Sequence, residues 1–176
     1  RIKINDTKNI NDEELKEAAQ ILRDGGLVAF PTETVYGLGG NGLNKEASKK
    51  IYAAKGRPSD NPLILHIADM EQFHPLIKTD NAKIIARAEA LADVFWPGPL
   101  TMILPKADNI PYETTGGLDT VAIRMPSHLV ARALLQECKM PIAAPSANLS
   151  GRPSPTSASH VIEDMNGRIE MIIDGG

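Results

Sequence analysis

Cysteine is nearly absent from this sequence: Cys138 is the single one among 176 residues. It has no partner for an internal disulfide and no companions for a cysteine-rich metal site, so a reducing, cytoplasmic setting is expected. Long apolar runs are missing as well. Nothing approaches the roughly 18 uncharged apolar residues of a membrane span, and no apolar signal region opens the chain, so no membrane role is expected. Low-complexity tracts and a glycine period are also lacking, and 42% apolar with 23% charged residues is the composition of a folded globular chain. Neither sign of charge dominates, since 19 Lys or Arg stand against 22 Asp or Glu for a net charge of −3. Such a chain is ill suited to hold nucleic acid by bulk charge, so any anion it binds must meet a local cluster of cations. No Gly-Lys-Ser/Thr phosphate loop is present to supply one.

Apolar spacing divides what is there into alternating elements. Asn11 with Glu14 reads as a capping-box start for a helix over 11–23, with Leu15, Ala18, Ala19 and Leu22 inward and Gly25 as the stop. Further helices are predicted over 45–54, 81–95, from Ser127 through Cys138, and over 156–165. The helix over 81–95 turns Ile84, Ile85, Ala88, Leu91, Ala92 and Phe95 inward. Strands are predicted over 27–30, 63–67, 100–104, 121–125, 142–144 and 169–173. With no linker or repeat, this interleaving predicts one α/β domain over 1–176, with helices covering a largely buried mixed sheet. The closing run from Ile172 to Gly176 reads as a strand entering a turn, so the domain is expected to be incomplete at its C-terminus.

The 13 prolines and 14 glycines concentrate in four polar connections, 31–42, 55–62, 96–99 and 145–155, where functional loops are expected. In the first, Thr32 and Thr34 precede Gly37, Gly39 and Gly40; the hydroxyls fit either a local turn or a bound amino acid or phosphate. In the second, Lys55 and Arg57 are read as lying past the helix, aimed by Gly56 and Pro58 at a polyphosphate, with Asn61 donating to the same ligand. Surface salt bridging is the plainer reading. Lys45, Lys49 and Lys50 read as a solvated helix face. His66 alternates with Leu65 and Ile67, so its ring faces the other side of a strand, where it is either structural or a partner for a hydroxyl or carboxylate. Arg124 ends an apolar strand and needs an anion, from an internal carboxylate or, the favoured reading, from a substrate. Ser146 lacks the Gly-x-Ser-x-Gly elbow of a nucleophile, and its hydroxyl is read as a binding group beside Ser150, Arg152 and Ser154.

Five segments together resemble the YrdC-like family of threonylcarbamoyl-AMP synthases. They are Gly-Gly-Leu-Val-Ala-Phe-Pro-Thr-Glu-Thr-Val-Tyr-Gly-Leu-Gly (25–39), Lys-Gly-Arg-Pro-Ser-Asp-Asn-Pro-Leu (55–63), Trp-Pro-Gly-Pro-Leu-Thr (96–101), Val-Ala-Ile-Arg-Met-Pro (121–126) and Ala-Pro-Ser-Ala-Asn-Leu-Ser-Gly-Arg-Pro-Ser-Pro-Thr (144–156). The resemblance implies a twisted open mixed sheet, covered by helices, around a large substrate cavity. It implies a nucleotidyltransferase that makes threonylcarbamoyl-AMP and pyrophosphate from L-threonine, bicarbonate and ATP. The product would serve the threonylcarbamoyl modification of the adenosine beside the anticodon of tRNA, through a downstream transfer machinery. Threonine-binding roles fall by resemblance on Thr34, His66, Arg124 and Ala144. ATP-binding roles fall on Lys55, Arg57, Asn61, Thr120, Ser146 and Ser154. No general base stands out, so Lys55 and Arg57 are expected to act electrostatically. Mg²⁺ is expected to ride on ATP with no protein-held metal. Two other readings remain: an RNA-binding module, with the basic rim from Lys45 to Arg57 giving weak RNA binding, and a carbamoyl-transfer domain with a different acceptor.

Overall fold

Helices and strands alternate in the computed structural model, which describes residues 2–3 and 12–176. In chain order they are β1 (Ile2–Lys3), α1 (Asp12–Arg23), β2 (Val28–Phe30), β3 (Gly37–Asn41), α2 (Lys45–Lys55), β4 (Ile64–His66), α3 (Met70–Phe73), α4 (Ala82–Phe95), β5 (Thr101–Pro105), α5 (Tyr112–Thr115), β6 (Thr120–Arg124), α6 (Leu129–Cys138), β7 (Ile142–Ala143), α7 (Ala158–Met165) and β8 (Met171–Asp174). The described strands form one sheet in the order β1-β8-β2-β3-β7-β4-β6-β5. Its parallel pairs are β1 with β8, β2 with β8 and β4 with β6, and the remaining neighbours run antiparallel. The expected mixed α/β sheet is what the chain forms. The predicted Asn11 cap lies outside the described residues.

Side-chain alternation splits the core into two layers. On one face Val28, Phe30, Ile142, Met171 and Ile173 pack under α1 and α6. On the other, Leu27, Ala29, Ala143 and Ile172 pack against α2, α4 and α7. The period of two along β2, β7 and β8 is the direct cause.

Four features depart from expectation. β3 falls inside a connection read as a loop, because its Gly-Leu-Gly-Gly-Asn sequence has no β-branched residue. Its glycines are required by close packing instead: a Cβ on Gly39 would sit 2.8 Å from the Phe30 ring and 3.0 Å from Val28 O. Lys55 is the last residue of α2 rather than a loop residue. Asn44 caps the start of that helix by accepting from Glu46 N at 2.9 Å and Ala47 N at 3.2 Å, and its stop falls at left-handed Gly56 (φ 60°). α4 presses on the sheet through Ala88 and Ala92, while Leu91 and Phe95, expected inside, are 43% and 52% exposed. Small residues set that contact, and the wider apolar stripe is left beside it. The four-residue helices α3 and α5 were too short to show a period. No helix among the described residues is long and apolar enough to cross a membrane.

Candidate active site

Sheet register builds the first wall of the site. β4 and β6 run parallel with His66 opposite Arg124 and Ile64 opposite Ala122, so the histidine and arginine emerge side by side on one face. Leu65 and Ile67 turn to the other face, as the alternation predicts. Ala144 follows β7 and donates its N–H to Ile64 O at 2.9 Å. The loops close on this wall through backbone bonds: Tyr36 N donates to Pro155 O (2.8 Å), Leu38 N to Pro145 O (2.7 Å) and Ala147 N to Tyr36 O (2.8 Å). Between them lies a cavity of about 310 Å³ lined by Thr32, Val35, Gly37, Arg57, Pro62, Ile64, His66, Arg124, Ala144, Pro145 and Ser146.

Five of the predicted site residues, Arg57, His66, Arg124, Ala144 and Ser146, therefore share one hollow, and the other five do not line it. Thr34 is exposed, and its Oγ1 accepts from Arg124 Nη1 at 3.2 Å. Its loop is also a true hydroxyl turn, with Thr32 Oγ1 donating to Val35 O (2.6 Å) and accepting from Thr34 N (3.2 Å). The two readings of that loop are thus compatible. Lys55 does not share the lining with Arg57. It is buried, and its ammonium donates to Ser146 O, to Asn148 O at 2.8 Å and to Asn148 Oδ1 at 3.4 Å. Three acceptors match its three donors, so Lys55 holds the 145–155 loop. Asn61 lies on the exposed 57–62 loop, where its carbonyl accepts from Tyr52 Oη at 2.6 Å. Thr120 sits at the far end of β6 from Arg124. Ser154 lines a second cavity of about 260 Å³ with Arg152, Pro153, Pro155, His160, Glu163 and Asp164.

Four contributors were given no role in the sequence reading. Gly98 O, in the Trp-Pro-Gly-Pro connection, accepts from Arg124 Nε at 3.2 Å. Glu33 pairs with Arg124 Nη2. Asn148, besides meeting Lys55, donates to Leu149 O and Arg152 O, each at 2.8 Å. Asp164 completes the brace by accepting from Leu149 N (2.9 Å) and Arg152 Nη1 (2.6 Å). The clustering of Pro and Gly flagged the right connections. Nothing in a side chain's local sequence shows that it will serve backbone atoms of a distant loop.

Electrostatics follow from these placements. Burial, and then the neighbouring Arg124 cation, push the His66 imidazole down to about 4, so it is neutral at physiological pH. Its Nδ1 lies 3.1 Å from Ile64 O. Burial and the Arg57 cation lower the Lys55 ammonium to about 8, against the pull of Asp164. Burial would raise the Glu33 carboxyl, but the hydrogen bond and charge of Arg124, with backbone donors, outweigh it and hold it below the ordinary range. Arg57 Nε is buried with no protein partner. The hollow thus offers two guanidinium groups, a neutral imidazole and the hydroxyls of Thr32 and Ser146, and no carboxylate lines it. Among the described residues, no group of three or more His, Cys, Asp or Glu side chains is placed to hold a metal ion.

A family model covering Sua5, YciO and YrdC proteins, described as telomere recombination, matches residues 20–176. The chain belongs to the Sua5/YciO/YrdC family. Relatives named threonylcarbamoyl-AMP synthase include one from Pyrococcus abyssi, 58% identical over 173 residues, and one from Bacillus subtilis, 56% identical over 176 residues. The matches cover 98% and 99% of this chain and 50% of each relative, so the chain spans about half their length. Among solved structures, Pyrococcus abyssi Sua5 complexed with L-threonine superposes with a TM-score of 0.94 at 56% identity, over 99% of this chain and 50% of that one. The YrdC-like fold expected from the five motifs is therefore the one present.

Proposed function

We propose that this Sua5/YciO/YrdC domain condenses L-threonine, bicarbonate and ATP into threonylcarbamoyl-AMP and pyrophosphate. The observation that carries the reading is the convergence of Arg57, Arg124, His66 and Ser146 on one hollow. The names of the Pyrococcus abyssi and Bacillus subtilis relatives, and the threonine in the Pyrococcus abyssi Sua5 structure, support it. In this reading Arg124 takes the threonine carboxylate, while Thr34, neutral His66 and the Ala144 backbone receive its hydroxyl and amine. The amine adds to bicarbonate with loss of water to give a carbamate. A carbamate oxygen then attacks the α-phosphorus of ATP, and pyrophosphate leaves.

Each step gathers anions, so fixed cations matter before any proton transfer does. Arg57 faces the phosphates, and Ser146 supplies a hydroxyl to them. ATP extends along the 145–155 loop toward Ser154, with Asn61 and Thr120 as outlying contacts. Lys55 shapes this wall from behind. Oriented reactants can lower the barrier by about 7–11 kcal/mol, so positioning supplies much of the rate. The donor set of the hollow is cationic and neutral, so Mg²⁺ suits it as a passenger on ATP. The product would pass to a tRNA threonylcarbamoyl-transfer machinery in the cytoplasm.

Incubation with labelled threonine, bicarbonate and ATP tests the reading. Threonine-dependent formation of the mixed anhydride with pyrophosphate is expected. Pyrophosphate release that ignores threonine, or RNA binding that needs neither substrate, would overturn it.

A further inference from the structure

We propose that Glu33 is a positioning residue that sets the plane of the Arg124 guanidinium for the threonine carboxylate; this deepens the function proposed above and rests on it. A guanidinium carries five N–H donors in one plane. Three of the Arg124 donors meet protein acceptors: Nε reaches Gly98 O at 3.2 Å, Nη1 reaches Thr34 Oγ1 at 3.2 Å, and Nη2 pairs with Glu33 Oε1. Two donors remain after these bonds, one on each terminal nitrogen, which is what a carboxylate needs for a two-pronged contact. Gly98 and Thr34 offer neutral oxygens at ordinary distance. Glu33 is the charged member of the three and therefore the strongest constraint on rotation about the Cδ–Nε bond.

Glu33 is itself anchored. Its second oxygen accepts from Ser127 N at 3.1 Å and His128 N at 3.3 Å, in the turn that leads from β6 into α6. The residue thus ties the 31–37 loop to the segment following Arg124 and clamps the arginine between them. The pairing also answers a need of the arginine itself. The Arg124 side chain is only 10% exposed, and a cation so enclosed is costly without an anion at hand. With both oxygens engaged and its carboxyl held below the usual range, Glu33 is poorly suited to accept a substrate proton. Its action is through Arg124.

A residue that merely capped α6 would lower stability and leave the two substrates equally affected. Steady-state kinetics of Glu33→Ala and Glu33→Gln separate the roles. For Glu33→Ala, the threonine KM rises about tenfold or more while the ATP KM stays within about twofold, the effect expected from losing one charge-assisted bond on a binding group. Glu33→Gln keeps an oxygen for Nη2 but offers an amide to the α6 turn, so its threonine KM rises only about threefold, a partial rescue. Equal rises in both KM values, or an unchanged threonine KM, would overturn the role. If Glu33→Ala fails to fold, the same split in Glu33→Gln decides. A wild-type chain without threonine-dependent turnover removes the proposed function and this role together, whereas normal wild-type turnover with unshifted variants removes this role alone.

Discussion

The two walls of the hollow are held in different ways. His66 and Arg124 stand on β4 and β6, whose backbone ladder fixes their spacing whatever the neighbouring side chains are. Arg57 stands on a connection with no such ladder, and Ser146 has only an isolated bridge to Gly37. There the 145–155 loop is stitched by side chains, with Lys55 and Asn148 on one side and Asp164 on the other. A ladder draws on every residue's N–H and C=O, so single substitutions leave it standing. A stitched loop depends on a few groups and loosens when one is lost. Changes on the strand wall should therefore act first on binding, and changes behind the loop wall should alter binding and stability together.

The sharpest test of that contrast is Arg124→Ala. It should cost at least about a hundredfold in threonine affinity, as truncating a buried charge pair usually does, with ATP affinity nearly constant by calorimetry. Retention of the threonine-induced melting shift would remove Arg124 from the strand wall's function. Arg57→Ala comes next, with ATP affinity falling about tenfold to a hundredfold for a lost charged contact while threonine binding holds. Asn148→Ala probes the stitching. Losing two or three hydrogen bonds is worth about 2 kcal/mol, or about 4–8 °C in Tm for a chain of this size, with weaker ATP binding alongside. An unchanged Tm with unchanged ATP affinity would abolish the distinction between the walls.

The smallest effect concerns pH. His66 has its pKa lowered to about 4 in the folded chain, against about 6.5 when unfolded. The unfolded state then binds more protons between those values, so the His66 contribution is intact above pH 6.5 and is lost as pH falls toward 4. Thermal scans of wild type and His66→Gln should diverge over that window, with the variant less acid-sensitive. Threonine affinity of the wild type should stay level from about pH 6 to 8, because His66 is neutral throughout. Parallel scans across the acid range would show His66 to be solvated rather than enclosed.

Alternation carried the strand wall into view from sequence: the opposition of His66 to Leu65 and Ile67, and an arginine closing an apolar strand, were both readable. The pairing of those two strands was not, since nothing local to residues 64–66 names residues 122–124 as their neighbours. The glycines of β3 were readable as permissive but not as a strand, because their role is to admit Phe30 and Ile51 from opposite layers. Lys55 was legible as a cation of the second connection. Its inward turn depends on where α2 stops, a boundary that Gly56 moves by one residue. The Glu33–Arg124 and Lys55–Asn148 pairings stayed hidden because each joins residues more than ninety apart along the chain.

The placement of His66 opposite Arg124 has a practical consequence. Slippage of β4 by one residue would swing the imidazole to the far layer and bring Leu65 beside the guanidinium. A molecule folded in that way could be compact and still inert. Turnover per mole of refolded material would therefore serve as a census of correctly aligned chains, a quality measure that bulk helicity or sedimentation cannot supply.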